Sequence, residues 1–84
     1  MAVALVFTDA VVVEAFRSTA KEKKTYCEIR SDGSVFNLQS EEYDLTTLPI
    51  LEKLPKMKLS IVGRVFRGER APVQVLYVRD VVLG

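Results

Sequence analysis

At 84 residues the chain has room for one domain, and that domain lies near the lower size limit for folding alone. A hydrophobic fraction of 49% is ample for a globular core and excludes a disordered chain. Twelve Lys and Arg against eleven Asp and Glu leave a net charge of +1, which excludes a polybasic protein, so an anion must be met by local clusters of cations.

The N-terminal "MAVALVFTDAVVV" is apolar but too short to span a membrane. Asp9 interrupts it and no cationic region precedes it, so it reads as structure rather than signal. A cytoplasmic location away from membranes is the default expectation. Ala4 to Phe16, rich in Val, fits one long bent strand or two short ones hinged near "TDA". "RSTAKEKK", Arg17 to Lys24, has no apolar period and reads as a basic loop. "TYCEIR" alternates, "SDGS" carries the Asp-Gly of a tight hairpin, and "VFNLQ" answers as the partner strand.

The character changes at "SEEYDLTTLPILEKLPK". Leu45, Leu48, Leu51 and Leu54 recur every third residue, as in a short helix or a 3₁₀-rich turn; Pro49 suits a first turn and Pro55 ends the element. "MKLSIVGRVFR" is then a strand, "GERAP" a turn and "VQVLYVRDVVL" the last strand. The predicted fold class is all-β, a single domain over 1–84. It is a five-stranded OB-fold barrel with a small helical connector between the third and fourth strands. Gly63 suits the curvature of a barrel strand. An SH3-like barrel would place its helical turn before the last strand, whereas here two strands follow the connector.

A period of two assigns faces. In the first strand Val11, Val13 and Ala15 form the inner set and Val12, Glu14 and Phe16 the outer. In the second, Cys27 and Ile29 face in while Tyr26 and Arg30 face out. In the fourth, Ile61 and Val65 face in while Arg64 and Phe66 face out. In the last, Leu76, Val78 and Val82 face in while Val75, Tyr77 and Arg79 face out. Phe7, Phe36 and the small apolar Cys27 are read as core. Four strands thus each expose an aromatic near an arginine.

Unpaired nucleic acid asks for that mixture: aromatic rings stack on bases of any sequence, and nearby cations hold phosphates. The loops expected to border the groove add Arg17, Lys21, Lys23 and Lys24, and Arg67 and Arg70. The candidate site is therefore Phe16, Arg17, Lys21, Lys23, Lys24, Tyr26, Arg30, Arg64, Phe66, Arg67, Arg70, Tyr77 and Arg79. The same pattern also arises from cross-strand packing, from cation–π contacts, or at a protein interface, with the chain a homodimer or a small subunit of a larger complex. Tyr43, flanked by Glu41, Glu42 and Asp44, is left out because those carboxylates repel phosphate. As a divalent-ion site that acidic run is less apt than as a solvated face. With one cysteine and no histidine, an internal disulfide, the usual zinc sites and the usual nucleophile–base pairs are excluded. No P-loop is present, and neither an enzyme nor a cofactor is expected.

The cation-bearing loop, the "KKTYCEIR" strand, the Leu/Pro-rich connector and the closing hairpin together resemble the small single-stranded-DNA-binding proteins of the filamentous-phage gene V type. The primosomal OB-fold dimers are a similar match. The resemblance implies an OB-fold homodimer that binds single-stranded DNA, or RNA, with little sequence preference. It implies a role accessory to DNA replication in a phage or other mobile element, alongside replication proteins. It also implies Tyr26 as a stacking platform and Arg17 and Lys24 as phosphate contacts. The chain departs from that pattern in its near-neutral charge and its acidic "SEEYD".

Overall fold

A computed structural model describes residues 3–18, 23–48, 54, 56–67 and 73–84. Its strands are β1 (Val3–Phe7), β2 (Val11–Arg17), β3 (Thr25–Ser31), β4 (Ser34–Ser40), β5 (Met57–Arg67) and β6 (Val73–Leu83). They form one sheet in the order β1-β5-β6-β4-β3-β2, antiparallel throughout except for the parallel β4–β6 pair. The all-β expectation holds, but the count is six strands rather than five and the sheet is not a closed barrel. The predicted long first strand is two: at Thr8, Asp9 and Ala10 the chain leaves the ladder with β5 and enters the ladder with β3. Buried Ala10 fixes this corner by accepting the Leu54 N–H at 2.8 Å.

The two ends of the sheet are consecutive in sequence, and that forces curvature. Six flat strands would hold β1 and β2 about 24 Å apart. The four Cα steps from Phe7 to Val11 reach about 15 Å at most. The sheet therefore coils around one core, which includes Val12, Ile29, Leu38, Leu59, Leu76 and Val78. Phe7 and Phe36 meet edge to face there, centroids 5.0 Å apart, as read from the sequence. The Leu-rich connector is a single 3₁₀ turn, Leu45–Thr47, with Leu45, Leu48 and Leu54 in the core. Pro49, Leu51 and Pro55 lie outside the described residues. Cys27 is core as well; burial, and secondarily the Glu28 carboxylate, push its thiol up to about 12.

Three bulges reset the strand faces and overturn several sequence assignments. Val13, Val62 and Arg79 each fall between paired neighbours without a partner opposite. In β2 this buries Val12 and turns Val11 out, the reverse of the simple alternation, while Glu14 and Phe16 remain outside. In β5 it leaves Val65 42% exposed instead of buried. It also sets Arg64 opposite core Leu76 and Phe66 opposite Gln74, so both leave the face that carries Tyr77. In β6 Val81, not Val82, enters the core; Val75 keeps its outward register yet is buried.

The β3–β4 turn is the predicted two-residue hairpin. Asp32 (φ 52°) and Gly33 (φ 75°) both adopt positive φ, the signature of a type I′ turn. Gly33→Val costs about 1–2 kcal/mol, because a Cβ disfavours that backbone region. An added Cβ meets nothing within 4 Å, so the loss is backbone strain alone, and Gly33→Asn loses less. Urea melts of the three proteins check the order glycine, asparagine, valine.

Candidate nucleic-acid interface

The hairpin register, carried across neighbouring ladders, assembles a transverse row on the outer face. Phe16 (β2) pairs with Tyr26 (β3), Tyr26 with Gln39 (β4), Gln39 with Tyr77 (β6) and Tyr77 with Gly63 (β5). Phe16, half exposed, stacks on Tyr26 with centroids 5.0 Å apart and planes 16° apart. Tyr77 lies over Gly63, where an added Cβ would come within 3.1 Å of the ring; glycine there makes room for the aromatic. Tyr26 and Tyr77 stand two strands apart, about 10 Å.

Two hollows adjoin the row, and Gln39 lines both. One, of about 240 Å³, is bordered by Glu14, Phe16, Tyr26, Glu28 and Asn37. The other, of about 230 Å³, is bordered by Lys24, Glu41, Glu42, Val62, Tyr77 and Arg79. The groove is therefore polarised. Glu14 and Glu28 stand opposite each other along one side, where like charges repel a phosphate. Lys24 and Arg79 stand along the other.

Those cations have partners that the sequence reading overlooked. Arg17 pairs with Asp44 at 2.7 Å, Lys24 with Glu41 at 3.8 Å and Arg79 with Glu42 at 3.5 Å. The acidic run set aside as a repulsive patch thus lies against three of the expected phosphate contacts. Buried Thr25 holds it there: its hydroxyl donates to the Tyr43 carbonyl at 2.9 Å and accepts the Leu45 N–H at 3.0 Å. The Ser40 hydroxyl accepts the Tyr43 N–H at 2.9 Å. Asp44 caps the 3₁₀ turn. Hydrogen bonds from the Thr46 hydroxyl and amide, then the Arg17 guanidinium, hold its carboxyl below the usual carboxylate range.

Of the sequence-predicted site, the structure brings together Phe16, Tyr26, Tyr77, Lys24 and Arg79, with Arg17 at the border. Arg30 is exposed on the same face but sits in the register of Val11 and Val35, away from the aromatic row. Lys23 is exposed beside Lys24. Arg64 and Phe66 do not join the row, because the Val62 bulge turned them away. Lys21, Arg70 and the side chain of Arg67 lie outside the described residues. Gln39 was missed, although the two-residue Asp-Gly turn places it opposite Tyr26. Among the described residues no helix is long and apolar enough to cross a membrane, and no group of His, Cys, Asp or Glu is arranged to hold a metal. Comparisons with protein-family models, curated proteins and solved structures found no match.

Proposed function

We propose that the protein binds single-stranded nucleic acid, DNA in the first instance, along this outer face, as a cytoplasmic accessory to DNA replication of the gene V type. The observation that carries the reading is the row Phe16–Tyr26–Gln39–Tyr77, with Lys24 and Arg79 along one side. Bases stack on the rings, and the backbone follows the cationic side, away from Glu14 and Glu28. The strand order supports an OB-type reading when β1 and β2 are taken as halves of one bent strand. The test is a fluorescence-anisotropy titration of a labelled oligonucleotide at two salt concentrations. Affinity falls with salt, the logarithmic slope being about −0.7 for each phosphate neutralised. Folded protein that binds nothing at low salt refutes the reading.

A second surface favours a homodimer. On the outer face of β1, β5 and β6, Val6, Lys58 and Val82 form one row, and Val6 and Val82 are each more than half exposed. Lys58 and Asp80, on neighbouring rows, have no ion-pair partner among the described residues. A twofold contact sets Lys58 of each copy against Asp80 of the other around the valines, so the patch is self-complementary. Sedimentation across concentrations shows a dimer, and Val82→Glu shifts it towards monomer. A monomer that binds no oligonucleotide leaves this patch as a contact for a different protein.

A further inference from the structure

Gln39 occupies the middle of the groove, between Tyr26 and Tyr77, and borders both hollows. Its side chain is half-buried, and among the described residues its amide has no hydrogen-bond partner. An amide offers one acceptor and two donors, so it can pair with the edge of any base laid over a neighbouring ring. What lies behind it is more selective. The adjoining row carries Glu14, Glu28 and Asn37, and an ionised carboxylate only accepts.

We propose that Gln39, backed by Glu28, reads the edge of the stacked base, so that the groove prefers bases with an exocyclic amino group, cytosine and adenine, to thymine and uracil. The inference rests on the single-strand reading above and adds a base preference to it. The amino group of cytosine or adenine donates to the carboxylate side while the Gln39 amide meets the adjacent ring nitrogen. Uracil and thymine carry a carbonyl at the same place, so two acceptors face each other, which desolvates both without a hydrogen bond. Stacking does not supply this difference, because cytosine and uracil present rings of the same size.

The test compares labelled oligo-deoxycytidine with oligo-deoxyuridine of equal length, at one salt concentration and neutral pH. A base-edge pair of this kind contributes about a five- to tenfold preference for deoxycytidine. Gln39→Ala lowers the affinity for deoxycytidine several-fold and leaves deoxyuridine within about twofold. Glu28→Gln, which restores a donor beside the base, narrows the preference while the melting temperature stays in place. Equal affinity of the native protein for the two oligonucleotides overturns the inference, as does a Gln39→Ala loss of the same factor on both. Binding of both without discrimination leaves the single-strand reading standing. Binding of neither removes that reading and the preference with it.

Discussion

Tyr26→Ala weakens single-strand binding by roughly 1–3 kcal/mol, while Phe66→Ala leaves it unchanged. From sequence alternation the two residues look equivalent, each an outward aromatic near an arginine. The Val62 bulge separates them: Tyr26 stays in the groove row, and Phe66, 62% exposed, stands opposite Gln74 on the other face. Phe16 and Tyr26 are stacked already, so they form one double platform rather than two independent ones. Removing both therefore costs less than the sum of the single losses, and a double-mutant cycle on binding measures that coupling. Tyr26→Ala also loses part of its contact with Phe16 in the free protein, worth about 0.5–1.5 kcal/mol of stability. Melting temperatures on the same samples keep the two effects apart. The salt slope stays where it was, because neither substitution removes a phosphate contact. A Phe66→Ala protein that binds as poorly as Tyr26→Ala would place the strand on the wrong face of β5.

Local chemistry made much of this legible. The Asp-Gly turn fixed the β3–β4 register, and with it the outward Tyr26 and the inward Cys27 and Ile29. The change in composition at Ser40 marked the connector, and its leucines were core by their apolar character even though only one 3₁₀ turn forms. The bulges were not legible. Strict alternation carries parity along a strand, and one unpaired residue inverts everything beyond it. Nothing in "AVVVEAF" marks Val13 as the extra residue, because its three consecutive valines are chemically alike. Nor was the placing of "SEEYD" against Arg17, Lys24 and Arg79 legible. Those contacts lie up to 37 residues apart and depend on the parallel β4–β6 pairing and on the Thr25 hydroxyl.

That placement makes the acidic run an intramolecular rival for the cations that the groove offers to phosphate. Replacing Glu41 and Glu42 together by glutamine raises single-strand affinity several-fold, up to about tenfold. Each exposed ion pair it removes is worth only about 0–1 kcal/mol, and that much attraction returns to the phosphates. The salt dependence steepens at the same time, by about 0.7 in logarithmic slope for each cation released. Glu41 and Glu42 are exposed and outside the hydrogen bonds anchoring the run, so the melting temperature moves little. Asp44→Asn completes the series. Asparagine still caps the turn but no longer holds Arg17 by charge, so this change adds Arg17 to the available cations. Acid does not imitate it at mildly low pH. The folded carboxyl of Asp44 is held below its ordinary value, so its contribution is complete above the unfolded pKa. It is lost only as pH falls through the lower folded value, and at pH 5 Arg17 remains paired. Measured at pH 7, unchanged affinity and slope in the glutamine double variant would mean that Lys24 and Arg79 touch no phosphate. The aromatic row would then have to hold the strand without them.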